Sequence, residues 1–292
     1  MTATTRSSGP WLPRLVVAPS FLLSLLFIYG LMTWNGYLSM SASRILPNYD
    51  FVGLAQYQAL FDNERFRVAM VNLAIFGLLF IGGAMGVGVV LAVLLDQKVR
   101  GEGLLRTIYL YPMAISFIVT GTAWKWMLNP GLGLEHLMHQ WGFENFSFDW
   151  LINPDMAIYC VVIAGIWQSA GFVMALFLAA LRGIDESIIK AAQVDGASLP
   201  RIYWSIILPS LRPVFFSTLL VVSHLAIKSF DLVMALTAGG PGFATDLPAT
   251  FMYAHAFTRG QIGLGAASAT VMLATVAAIV VPYLYSELRA KR

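Results

Sequence analysis

Six stretches of this chain run for about the length of a membrane crossing with little or no charge: Leu15 to Met40, Val68 to Leu95, Thr107 to Trp124, Met156 to Leu181, Val214 to Leu236 and Ile262 to Ser286. A helix needs roughly 20 apolar residues to cross a hydrocarbon core about 30 Å thick, so every stretch qualifies and the third is the tightest fit. No water in that core can satisfy backbone N–H and C=O groups, so a crossing segment is a helix or part of a closed barrel. The alternating apolar and polar pattern of a barrel strand is nowhere visible. These stretches predict an all-α membrane protein, a bundle of six transmembrane helices. Composition excludes the soluble alternative: 11% of residues are charged and mean hydropathy is +0.73, against about 25% charged residues in an ordinary soluble domain.

Basic residues set the orientation. With the N-terminus in the cytoplasm, Arg6, Arg14, Lys98, Arg100, Arg106, Arg182, Lys190, Arg201, Arg212, Arg289, Lys291 and Arg292 fall inside, which is 12 of the 18 lysines and arginines. Arg44, Arg65, Arg67, Lys125 and Arg259 fall outside. The positive-inside rule then places both termini in the cytoplasm. This gives cytoplasmic tails at 1–14 and 287–292 around a transmembrane domain at 15–286. The net charge of +3 is spread over separate short segments and does not point to nucleic acid. Arg6 and Arg14 ahead of an apolar run resemble a signal peptide, but that run is too long and lacks a small-x-small cleavage site, so a retained first helix is expected. Cys160, the only cysteine, lies in the fourth span, cannot form an intrachain disulfide and reads as a packing residue.

One long cytoplasmic loop, 182–213, looks like folded structure in its own right. Asp185 can cap a short helix, with Glu186 in its first turn near the positive end of the dipole. Gly196 supplies the left-handed turn that closes it. Ser198 can cap a second helix with Pro200 in its first turn, and Ile202, Ile206 and Ile207 form an apolar stripe. The result is a compact knob of two helices between two membrane spans.

That knob is similar to the coupling loop of binding-protein-dependent ABC importer permeases. Ala191, Ala192, Asp195, Gly196, Ala197, Leu208 and Pro209 match its Glu-Ala-Ala, Asp-Gly-Ala and Leu-Pro pattern, while Lys190 stands where relatives have glutamate. Two further runs resemble the carbohydrate, maltose-type branch of that family. One is Trp124, Trp126 and Asn129-Pro130-Gly131, with Ile166-Trp167-Gln168 followed by Gly171 and Phe172. The other is Phe230-Asp231, Thr237, Gly239-Gly240-Pro241, Thr245, Tyr253, Ala256 and Phe257. The resemblance implies a type I ABC importer permease with three kinds of protein partner in and around the lipid bilayer. These are a second permease subunit, two ATPase subunits under the knobs that carry ATP and Mg, and a periplasmic or extracellular sugar-binding protein. It implies a sugar substrate, with a monosaccharide such as glucose or mannose suggested by overall similarity, and a location in the cytoplasmic (inner) membrane. No cofactor is expected on this chain itself. It contains no Gly-Lys dipeptide and hence no Walker A loop, so ATP must be hydrolysed by another polypeptide.

Within the spans, Gly82 and Gly86 make a small-xxx-small pair, expected to serve helix packing inside the subunit ahead of a subunit interface. Pro112 is expected to kink the third span, with Trp124 and Trp126 at its outer interface. The fifth span holds the only charges expected to be buried: His224, Lys228 and Asp231, at i, i+4 and i+7, would share one helical face. Charge within a bilayer is expensive enough to suggest function. These three, with Gln168 and Phe172, are therefore the candidate lining of a substrate path, and a structural Lys228–Asp231 ion pair is compatible with that. An ion-coupled secondary transporter using Lys228 and Asp231 is the alternative, which would require inverted repeats. None is visible. Catalytic residues are not expected: His136 and His139 lack the companions of a metal site, and no Gly-x-Ser-x-Gly elbow occurs.

Overall fold

The computed structural model describes residues 11–46, 48–97 and 99–290. Arg6, Lys98, Lys291 and Arg292, with most of the N-terminal tail, lie outside the described residues. The chain is a helical bundle with four continuous helices long and apolar enough to cross a membrane and two bent pairs, Glu102–Ala114 with Phe117–Met127 and Leu199–Ser210 with Arg212–Ile227, the latter bent by 67°. The continuous ones are α1 (Trp11–Leu38), α3 (Glu64–Asp96), α7 (Ala157–Leu181) and α14 (Ile262–Ala290). Short α2 (Ala55–Asp62) precedes α3, and α6 (Leu134–Gln140) lies in the loop before α7.

The third span is not one kinked helix. α4 (Glu102–Ala114) and α5 (Phe117–Met127) meet at 100°. The break falls beyond Pro112, at Ile115 and Ser116, where extended backbone lets the Ser116 hydroxyl cap α5 by accepting from the Val119 N–H at 3.4 Å. The fifth span breaks as well, between α11 (Arg212–Ile227) and α12 (Asp231–Leu236). α5 and α12 pack together through Gly121, where an added Cβ would come within 2.7 Å of the Ala235 methyl and 3.0 Å of the Leu232 carbonyl.

The core lies between α3 and α7, which carry most of its fully buried side chains, including Phe76, Phe80, Val161, Val173 and Met174. Cys160 is buried among them, as a packing residue should be. Glycines permit the close approach: a Cβ on Gly88 would come within 2.5 Å of Val173, one on Gly83 would collide with Ile166, and one on Gly171 would land on the Tyr109 carbonyl of α4. The Gly82–Gly86 pair does not play the intrasubunit role expected of it, since nothing lies within 4 Å of a Cβ on either residue. Instead both form the floor of an apolar groove of about 690 Å³ shared with Phe177, Trp204, Leu208 and Phe215. α1 stands apart from the core; its most apolar window is 0% buried, and it leans on α14 through Asn35, whose amide donates to the Thr270 hydroxyl at 3.0 Å.

Candidate functional site

The knob takes the form expected. Asp185 caps α8 (Glu186–Val194) by accepting from the Ser187 N–H at 2.8 Å, and that bond holds its carboxyl below the usual range. Gly196 adopts φ +77°, which closes the turn. Ser198 has the extended backbone of a cap, though its side chain makes no capping bond. α9 (Leu199–Ile202) then continues through a π-helical turn, Tyr203–Ile207, into α10 (Leu208–Ser210). Ile202 and Ile207 are buried at 0% and 1%, so the second half of the knob is rooted in the bundle core. Tyr203 fixes the same root to the end of α3, donating to Asp96 at 2.5 Å and accepting from Gln97 at 2.7 Å.

The tip of the knob faces outward. Ala191, Asp195, Gly196 and Pro209 are exposed, Ala197 and Leu208 are half-buried, and Ala192 is buried beneath them. Val194 is 89% exposed, and Ile188 and Leu199 lie open beside it. Sequence reasoning singled out the small residues and missed this apolar rim, which the stripe of α8 could have revealed. Lys190 pairs with Glu186 at 3.0 Å, one helical turn earlier on the same exposed face.

The polar set of the fifth span needs correction. α11 ends at Ile227, Lys228 is its C-cap and Phe230 precedes α12, so His224, Lys228 and Asp231 do not share the face of one continuous helix. All three are exposed, and Lys228 and Asp231 form no ion pair among the described residues. Gln168 is likewise not set on an open path: it is 4% exposed and donates at 2.7 Å to the Ile115 carbonyl at the break of the third span. It supplies the partner that the broken helix lacks. Phe172 is half-buried against the core.

Among the described residues the fully buried charge lies elsewhere and was missed. Asp246, 0% exposed, accepts from Arg65 at the start of α3, with Nε–Oδ2 at 2.6 Å, and from the Thr250 hydroxyl at 2.5 Å. The guanidinium lies 4.6 Å above the Phe243 ring, and the Asn72 amide donates to the carbonyls of Phe243 and Asp246. This clasp organises the Thr237 to Phe257 run, in which the Thr237 and Thr245 hydroxyls meet at 2.7 Å. Behind it, in the segment joining α13 (Pro248–Tyr253) to α14, His255 is buried and stacks on Phe251 at 3.9 Å. Burial holds its pKa below the ordinary 6.5, and the nearby Arg259 and Arg65 act in the same direction. In the loop before α7, His136 and His139 bond to Gln140 and to the Phe146 carbonyl.

A bundle with two broken spans and an exposed knob rooted in its core defines a helical membrane transport subunit. The chain belongs to the family described as the binding-protein-dependent transport system inner membrane component, whose model matches residues 84–290. It is 39% identical over 281 residues to a probable ABC transporter permease protein of Pyrococcus horikoshii, covering 95% of this chain and 96% of that one. It is 35% identical to the xylose/arabinose import permease protein XacH of Haloferax volcanii, covering 91% and 85%. It is 31% identical to the sn-glycerol-3-phosphate transport system permease protein UgpA of Agrobacterium fabrum, covering 92% of each. Its fold matches a chain of a bacterial ABC transporter involved in the import of alginate, with a TM-score of 0.84 at 21% identity over 97% and 96% of the two chains.

Proposed function

We propose that this chain is the permease subunit of an ATP-driven, binding-protein-dependent sugar importer of the cytoplasmic membrane. The observation that carries this is the knob, whose outward tip around Val194 and Gly196 is rigidly joined to the core through Ile202 and Ile207. A displacement of the tip is thereby passed to the helices that enclose the path. In this reading Lys190, Ala191, Ala192, Asp195, Gly196, Ala197, Leu208 and Pro209 seat in an ATPase subunit. Two such ATPases hold ATP and Mg, a second permease subunit completes the path, and an external sugar-binding protein delivers the substrate. Both termini lie in the cytoplasm, and this chain performs no covalent chemistry. Nucleotide-driven closure of the ATPases moves the knobs, and the broken spans switch the path between outward and inward opening.

The relatives named for xylose/arabinose and sn-glycerol-3-phosphate support a polyhydroxylated substrate. Monosaccharides such as glucose and mannose are the first to test. The ion-coupled alternative loses its geometric basis, because Lys228 and Asp231 are separated by a helix break and share no proton-carrying contact. The test is uptake of radiolabelled sugar into proteoliposomes holding the full transporter and its binding protein. Uptake should require internal ATP and should persist when ionophores collapse the ion gradients. Uptake that follows the gradients without ATP would refute the proposal.

A further inference from the structure

We infer that Phe230, Tyr253 and Phe257 form an aromatic ladder at the outer mouth of the transport path, a stacking surface for the rings of the sugar. The inference rests on the importer reading above and adds to it a set of specificity residues. The Phe230 ring lies against that of Tyr253 with centroids 4.8 Å apart and planes tilted by 46°, and Tyr253 lies against Phe257 at 5.3 Å and 40°. Tyr253 and Phe257 are four residues apart, on the face opposite Phe251 and His255. The inner pair is 0% and 1% exposed, beside the Arg65–Asp246 clasp, whereas the outer pair is 40% and 70% exposed. A π-helical turn, Ala254–Thr258, carries this arrangement, and such turns recur at functional sites.

An exposed aromatic face in a membrane protein meets lipid, a partner or water, and the helix break decides among them. Phe230 sits in the break, flanked by Lys228 and Asp231, whose side chains are exposed and have no ion-pair or hydrogen-bond partner among the described residues. Of the last four carbonyls of α11, those of His224 and Ala226 accept from the Lys228 and Ser229 amides, while those of Leu225 and Ile227 still require partners. Unpaired charge and open backbone facing hydrocarbon are both costly, so this side of the break faces an aqueous space. α11 is 16 residues long, so the break lies roughly 24 Å from its cytoplasmic end at 1.5 Å per residue, in the outer third of a core about 30 Å thick. From there the ladder runs outward. A sugar ring offers polarised C–H bonds to the electron-rich face of an aromatic ring and hydroxyls at its rim. Asp231 can accept from those hydroxyls and Lys228 can donate to them.

Two measurements on the assembled transporter test this. The native thiol of Cys160 is buried, so single cysteines can be read in a Cys160→Ser background. Tyr253→Cys, Phe257→Cys and, as a hydrocarbon-side reference, Leu22→Cys are treated from outside with a charged, membrane-impermeant methanethiosulfonate. The first two should react at least about tenfold faster than the reference, because the reagent needs a hydrated thiolate. Rates equal to that of Leu22→Cys would overturn the inference. Uptake of D-glucose, D-mannose and D-xylose is then measured at equal amounts of assembled complex. Tyr253→Ala and Phe257→Ala should each raise KM by roughly three- to tenfold, as the loss of one aromatic contact predicts, while Phe257→Trp should stay near wild type. Unchanged KM in the alanine variants would overturn the ladder while leaving the importer reading intact. A wild-type transporter that imports none of these sugars with its binding protein would overturn the ladder as a surface for monosaccharide rings, and uptake that follows ion gradients without ATP would overturn both. Should an alanine variant fail to assemble, Tyr253→Phe and Phe257→Trp, with the labelling rates, decide the matter: normal KM with hydrated thiols supports the ladder, and inert thiols refute it.

Discussion

Asp246 is the residue whose removal should be felt most. Its carboxylate is 1% exposed and its partner Arg65 17%, and breaking a buried pair by deleting one member costs about 3–5 kcal/mol, because the other charge is left stranded. Asp246→Ala should therefore lower the thermal midpoint of the purified transporter sharply, and Arg65→Met with Asp246→Leu should recover most of the loss. A double variant as unstable as the single would show that the clasp is more than a charge pair. His255 makes a pH prediction. Its folded pKa is held below 6.5, so below that value the unfolded chain binds a proton that the folded chain refuses. Stability is then fully present above pH 6.5 and falls as pH drops toward the folded value. Thermal midpoints from about pH 8 to about pH 5 should show this decline, and His255→Gln should flatten it. At this scale the sequence was legible wherever the determinant was local. Asp185 as a cap and Gly196 as a left-handed turn depend on a few neighbours, whereas Asp246 acquires its meaning from Arg65, 181 residues away.

Among the elements, the knob gives the sharpest tests. A Cβ on Gly196 would meet open space, but φ is +77°, and an L side chain there costs about 1–2 kcal/mol. Gly196→Val should leave membrane insertion intact, since the strain is confined to a loop, and should abolish the stimulation of ATP hydrolysis by sugar-loaded binding protein in the reconstituted transporter. Lys190 is expected to matter less than Asp195. Its pair with Glu186 is 71% and 66% exposed, and such i,i+4 pairs are worth about 0.3–0.5 kcal/mol. Lys190→Ala should keep most uptake and Asp195→Ala should lose most of it; equal losses would assign Lys190 a role of its own. Element existence was legible because the bilayer imposes a length: four of the six apolar stretches are continuous helices, the third is a bent pair, and the fifth is split between α11 and α12. The breaks were not. Ser229 and Phe230 carry no Gly or Pro signal, so a 3.6-residue period was extended through a place where the helix stops. Pro112 drew attention to the third span, but the turn came at Ser116, where a cap and the amide of Gln168 stabilise the open backbone.

For the molecule as a whole, the class of fold follows from hydrophobic length alone, while the division of its surface does not. Gly82 and Gly86 look like Gly83 and Gly88 in the sequence, yet one pair lines an open groove and the other lies beneath α7. Only the packed positions of α3 and α7 separate them. The Arg65–Asp246 clasp also orders events in time. It joins the start of the second span to the segment after the fifth. At about 5–20 residues per second, a ribosome needs roughly 10–35 s to deliver the second partner after the first. Through that interval a half-made permease carries a bare guanidinium beside Phe66 and Asn72, and quality-control proteases can recognise it. A nascent chain ended before residue 246 should therefore be degraded faster than one ended after 258, and pulse-chase labelling of the two should show that difference shrink when Arg65 is replaced by methionine.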